Sequence, residues 1–150
     1  MAKKSAGLLL YKRERGALRV LLVHPGGPFW KNKDAGAWSI PKGEYDHEDP
    51  FVAAQREFAE ELGDVPKGAV IPLGEVRQQA GKLVTAFALE ADFDVSNFKS
   101  NTFEIEWPPR SGKQASFPEI DRAQWFSLDE AREKINPAQR ELLERLEEKL

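Results

Sequence analysis

The sequence predicts an α+β domain, an α/β/α sandwich with a mixed central sheet, and three observations carry that prediction. Two apolar runs, residues 6–11 and 17–24, are continuous rather than alternating, so strands formed there should be buried on both faces. A stretch with helical spacing between Asp49 and Gly63 interrupts the strand-like segments. More strand-like runs follow it, and two helices close the chain, which is the layout of helices covering a sheet. A chain of 150 residues can bury a proper core, and 1–150 reads as a single domain.

Taken in order, the polar segment KRERG separates the first two strands, with a turn at Arg15-Gly16. Pro25-Gly26-Gly27-Pro28 breaks the second run, and the loop to Gly36 carries Phe29, Trp30, Lys31 and Lys33. An aromatic among lysines suits a stacked base beside phosphates, and it equally suits a loop anchor tucked against the core. Residues 37–40 read as a short strand delivering Pro41-Lys42-Gly43. Asp49 can cap free N–H groups, Pro50 fits the first helical position, and Gly63 is a good stop. Residues 69–79 and 83–93 read as strands around a turn at Ala80-Gly81-Lys82. Val84, Ala86, Ala88 and Ala91 are small enough to lie under a helix. Residues 94–102 are polar and read as loop, whereas 103–107 alternate at period two and read as an edge strand stopped by Pro108-Pro109. The next segment, RSGKQASFPE, reads as a second loop with Arg110 and Lys113 free to move over a site. Residues 123–126 form a short strand containing Trp125. Ser127 and Glu130 make a capping box for a helix to Ile135, and Asn136-Pro137 open the last one.

Composition narrows the function. With 41% hydrophobic and 31% charged residues the chain looks like an ordinary soluble protein, and a reducing cytoplasm is the default location. No cysteine is present, which excludes disulfides, thiolate nucleophiles and Zn–Cys sites. His24 and His47 alone argue against a histidine-rich metal site. The N-terminal apolar run is too short for a signal peptide or a membrane span. A net charge of −3 argues against a stable nucleic-acid complex through a basic surface, while leaving room for a small phosphorylated ligand. The sequence carries no signal for oligomeric state.

The helix between Asp49 and Gly63 is the informative element. Phe51, Ala54, Phe58 and Leu62 recur at helical steps and make one apolar face. Glu57, Glu60 and Glu61 fall within an arc of roughly 100° on the side away from Phe58. Like charges at three- and four-residue steps repel, and acids in a last turn oppose the helix dipole. A stretch locally unfavourable twice over suggests a compensating ligand, and clustered carboxylates are the hard donors Mg²⁺ or Mn²⁺ prefers. A solvated acidic face is the plainer explanation, and the C-terminal AQRELLERLEEKL offers a comparison. There Arg140, Arg145 and Lys149 interleave with the acids, as they do not around Glu57, Glu60 and Glu61.

The order of letters goes further. Residues 56–63, REFAEELG, match the R-E-U-x-E-E-x-G core of the Nudix box, where U is a bulky apolar residue. Gly43 stands for the leading glycine of that pattern, and Glu48 lies seven intervening residues before Arg56, as the pattern asks. Residues 38–44, WSIPKGE, resemble the strand leading into the box in many members. The chain thus resembles a Nudix hydrolase over nearly its whole length. Two positions depart: four residues, not five, separate Gly43 from Glu48, and Asp64 occupies the final apolar position.

The resemblance implies the Nudix sandwich fold and divalent-metal-dependent hydrolysis of a nucleoside diphosphate linked to another group. It implies that the Gly43 carbonyl and the carboxylates of Glu57, Glu60 and Glu61 hold Mg²⁺ or Mn²⁺, with Arg56 orienting the acids, together with Glu48. The general base varies across the family, between a box glutamate and an acid from a later loop. Glu119 is the later-loop candidate, because PEIDRAQW resembles a segment of diadenosine tetraphosphate hydrolases with Glu six residues before Trp. Glu104 and Glu106 are weaker choices. Trp30, Lys42 and Arg110 are the expected substrate-binding residues. The likeness ranks a dinucleoside polyphosphate first, a nucleoside triphosphate, including oxidised ones, second, and ADP-ribose third. The rival from another class is a Nudix domain that binds a nucleotide without cleaving it.

Overall fold

The computed structural model describes residues 3–150. Strands β1 (Lys4–Glu14) and β2 (Ala17–Pro25) form an antiparallel hairpin whose turn places Arg15 and Gly16 at φ 54° and 79°. β3 (Lys42–Glu44) pairs with the start of β1, and α1 (Pro50–Leu62) follows. β4 (Val70–Arg77) and β5 (Leu83–Glu90) are antiparallel around a 3₁₀ turn at Gln79–Gly81, and β5 lies parallel to β1. β6 (Thr102–Glu106) and β7 (Gln114–Pro118) make a separate two-stranded sheet. β8 (Ile120–Ser127) returns beside β2, and α2 (Leu128–Lys134) and α3 (Arg140–Lys149) close the chain. The main sheet is mixed and runs β4-β5-β1-β2-β8, with β3 off that path on β1.

The continuous apolar runs are buried on both faces, as expected. Leu8, Leu10, Leu21 and Val23 pack on one side with Phe58 and Leu62 of α1. Leu9, Tyr11, Val20 and Leu22 pack on the other with Leu142, Leu143 and Leu146 of α3. Val84, Ala86 and Ala88 do lie on that second side with the α3 leucines, while Ala91 packs on the α1 side. Helices therefore cover both faces of one sheet, which is the sandwich predicted.

Three local expectations need correcting. Residues 37–40 are not a strand; Trp38 and Ser39 make only isolated bridges, to Ile135 and Val23. The paired segment lies further on, where Gly43 registers with Ala6 and Lys42 with Gly7, a choice set by the β1 partner because KGE has no apolar signal. Second, Gln114–Pro118, within the expected loop, is β7, zipped to β6 from Thr102↔Pro118 to Glu106↔Gln114. Third, β8 begins at Ile120, three residues before the predicted strand, because β2 offers a partner as far as Pro25.

Candidate active site

Asp49 accepts from the backbone N–H groups of Phe51 and Val52, and Gly63 ends α1 with φ 105°. That rigid helix presents its acids toward three other segments. The arc of glutamates spans from interior to solvent: Glu61 is 7% exposed, Glu57 is half-buried, and Glu60 is exposed. Phe58, opposite them, is fully buried and meets Phe93 edge-on at 5.4 Å.

Arg56 organises the outer acids. Its Nε donates to both oxygens of Glu48, at 3.1 and 2.9 Å, and Nη2 donates to Glu48 at 2.6 Å. Nη1 donates to Glu57 at 2.8 Å and to Glu60 at 3.2 Å. One guanidinium thus orders three carboxylates through charge-assisted bonds. The shortened loop still lets Glu48 reach its arginine.

Gly43 of β3 sits against Glu57 so closely that a Cβ there would lie 1.9 Å from Glu57 Oε2. A side chain at this position would have to push the Glu57 carboxylate aside. Next to it, Lys42 shares a cavity of about 240 Å³ with Glu61 and Glu119, walled by Ile40 and Ile120. Burial pushes the Lys42 ammonium below its ordinary pKa, against the pull of Glu61. Burial, then the charges of Glu57 and Glu119, push Glu61 up to about 8, with Lys42 acting the other way. Glu57 is raised chiefly by burial as well, with Arg56 opposing.

Glu119 reaches this cavity from the β7–β8 junction. Its N–H donates to the carbonyl of Asn101 at 2.8 Å, and the Asn101 N–H donates to the carbonyl of Glu60 at 3.2 Å. Its own carbonyl accepts from Gly26 at 2.9 Å. The end of α1, the 94–101 loop and the post-β2 loop are thereby tied to one residue. His24 is a part of this frame that sequence reasoning did not place: wholly buried, its Nδ1 lies 2.8 Å from Asp121 Oδ1 and its Nε2 donates to the Lys33 carbonyl at 2.6 Å. Its signal in the sequence was a histidine ending an apolar strand, which does not reveal partners so far apart in the chain.

The site therefore gathers Lys42, Gly43, Glu48, Arg56, Glu57, Glu60, Glu61 and Glu119. Two expected substrate residues are not brought into the cavity. Trp30 is 39% exposed with the Lys33 ammonium 5.0 Å from its ring, and Arg110 is exposed in the β6–β7 connection. Glu106 accepts from the Arg110 backbone N–H at 2.8 Å, and Glu104 is exposed within β6.

Among the described residues, no group of three or more His, Asp or Glu side chains already stands arranged to hold a metal ion. The donor set nevertheless fits a hard divalent cation. Glu61 Oε2 is buried with no hydrogen-bond partner, and Glu57 is packed on the Gly43 backbone. Glu57 and Glu119 raise the cost of charging Glu61, and Glu60 and Glu119 that of charging Glu57, a cost that a cation would relieve.

A NUDIX domain model matches residues 1–146. No curated protein sequence matches the chain. Solved structures resemble it over nearly the full length. The NUDIX domain of Shewanella oneidensis NrtR complexed with ADP ribose aligns at TM-score 0.67 and 18% identity, covering 99% of this chain and 88% of that one. A C. elegans Ap4A hydrolase binary complex aligns at 0.64 and 23%, covering 98% and 96%. The MutT protein from Methanosarcina mazei Go1 aligns at 0.61 and 22%, covering 99% and 94%. At these identities the likeness is one of fold.

Proposed function

The chain belongs to the Nudix family and is a hydrolase of acid anhydrides, and we propose that it cleaves a phosphoanhydride bond in a nucleoside diphosphate linked to a second group. A dinucleoside polyphosphate such as diadenosine tetraphosphate is the first-ranked substrate. A nucleoside triphosphate comes second and ADP-ribose third.

The observation that carries this reading is the pairing of a buried, unpartnered Glu61 oxygen with Lys42 and Glu119 in one cavity, beside Glu57 on Gly43. Anions in such a cavity repel, and the arrangement suits a polyphosphate accompanied by positive charge. The Gly43 carbonyl, Glu57, Glu60 and Glu61 would hold Mg²⁺ or Mn²⁺, which when bound supplies positive charge against the phosphate oxygens and makes a water a better nucleophile. Lys42 adds a fixed charge for a phosphate oxygen. Arg56 keeps Glu57 and Glu60 in place, itself anchored by Glu48. Water adds to one phosphorus, the bond from that phosphorus to its bridging oxygen breaks, and Glu119 takes the proton the water loses. Trp30 and Arg110 lie at the exposed margin, available to the distal part of a long substrate.

A nucleotide panel tests the reading. Purified protein with Mg²⁺ should hydrolyse diadenosine tetraphosphate with the highest kcat/KM, followed by triphosphates and ADP-ribose. A panel that stays uncut with Mg²⁺ and with Mn²⁺ overturns it.

A further inference from the structure

Strand β8 changes phase beside the acidic cavity. Ala123 and Trp125 pack with the α1 cluster and Phe126 with the α3 cluster, the alternation of an ordinary strand. Continued back along the strand, that alternation would put Asp121 on the α1 side and Ile120 opposite. Instead Ile120 is buried in the α1 cluster and lines the acidic cavity with Glu119. Asp121 reaches His24, whose ring meets Trp38 of the α3 cluster edge-on at 5.2 Å. The register accounts for the switch. His24 pairs with Arg122 and Pro25 with Ile120, so Asp121 is the extra residue of a β-bulge.

The bulged residue supplies its own clamp. Asp121 Oδ1 lies 2.8 Å from Nδ1 of the wholly buried His24, and Nε2 of that ring donates to the Lys33 carbonyl at 2.6 Å. A carbonyl only accepts, so Nε2 carries hydrogen, and a neutral ring would turn a lone pair toward the carboxylate. The 2.8 Å contact therefore holds a further proton between the two groups. Breaking it would leave a buried ring nitrogen without a partner. Arg122 Nε lies 3.7 Å from the same Asp121 oxygen, with its guanidinium over the Trp38 ring at 5.1 Å. The turn after β2 is packed just as closely on the other side: a Cβ on Gly26 would lie 2.1 Å from the Pro118 carbonyl oxygen, and the Gly26 N–H donates to the Glu119 carbonyl at 2.9 Å. A change of register in β8 is thus felt directly at Glu119.

We propose that the His24–Asp121 bond holds the bulge and so keeps Glu119 aimed into the acidic cavity, which makes His24 and Asp121 positioning residues for anhydride hydrolysis. Without the bulge the ordinary alternation returns. Position 121 turns to the cavity, Ile120 leaves it, and Glu119 moves along the strand by one residue, about 3.3 Å. Proton transfer needs the base within hydrogen-bond reach of the water, and a displacement of that size takes it out of reach. Neither His24 nor Asp121 lines the cavity, so their effect on turnover rests on the reading of Glu119 as the base.

The Asp121 side chain is 34% exposed, so it can be replaced without opening a cavity in the core. On the nucleotide the native chain cuts fastest, with Mg²⁺, Asp121→Ala should lower kcat about 10–100-fold and change KM by less than about twofold. Asp121→Asn should recover most of kcat, because its amide N–H can donate to Nδ1 of a neutral His24. The double variant of Asp121→Ala with Glu119→Gln should be no slower than Glu119→Gln alone, since both changes act through one carboxylate. Native kcat in Asp121→Ala, an Asn variant as slow as the Ala variant, or losses that multiply in the double variant overturn the assignment. Crystal structures read the clamp without turnover: Asp121→Ala should lose the bulge, with Pro25 opposite residue 121 and the Glu119 carboxylate out of the cavity. An unchanged bulge overturns the clamp whatever the activity. If the native chain cuts no nucleotide, the functional reading falls, and the crystal comparison decides the clamp by itself.

Discussion

Gly43 shows how much one residue can decide. Its φ is unremarkable for any amino acid, so its value is the absence of a side chain, which lets Glu57 lie on the backbone. Gly43→Ala should displace that carboxylate and cut kcat/KM by about 10–100-fold, as disturbed positioning around a metal site does, with little change in melting temperature. Equal melting and equal turnover would show that the close approach is incidental. Glu61 makes a different kind of prediction. Its proton is held more tightly in the fold, up to about 8, than at the ordinary value of 4.5. Between those values the folded chain keeps a proton that the unfolded chain has released, so stability is greatest at the low end and falls as pH climbs through the interval. Glu57, also raised, adds in the same sense. In metal-free buffer the melting temperature should therefore drop between about pH 5 and about pH 8, and Glu61→Gln should flatten the slope. A rising profile would contradict the burial of that charge.

At the scale of elements, α1 is held by its apolar face while its other face is left costly. Phe58 is the largest fully buried side chain of α1, at 0% exposure, and Phe58→Ala should cost about 3–5 kcal/mol in urea denaturation. A loss under about 1 kcal/mol would mean the helix is held by something else. This element was the most legible in the chain: the Asp49 cap, the Pro50 start, the Gly63 stop and the apolar spacing all appear as read. The Ser127–Glu130 capping box is likewise present with both bonds. The elements that escaped reading are those whose only reason is a distant partner. KGE becomes β3 because β1 runs past it, and QASFP becomes β7 because Thr102–Glu106 lies opposite. Neither has a periodicity that local sequence could show.

The whole molecule divides its labour between two clusters and one edge. The cluster under α3 and the cluster under α1 together bury both faces of the sheet, and the continuous strands forecast that division. No helix among the described residues is long and apolar enough to cross a membrane. The acids of the site were visible as a pattern in one helix, but their inequality was not. Burial of Glu61, exposure of Glu60 and the arrival of Glu119 through Asn101 depend on loops that only the folded chain brings together. The central claim is that these acids serve hydrolysis by holding a divalent cation. Its most direct test is a Mg²⁺ titration of diadenosine tetraphosphate hydrolysis, starting from EDTA-treated protein, for the native chain and Glu60→Gln. Turnover should rise from background with Mg²⁺ in the native chain and stay at least about a hundredfold lower in a still-folded Glu60→Gln. Full turnover in EDTA, or native turnover by the variant, would contradict it.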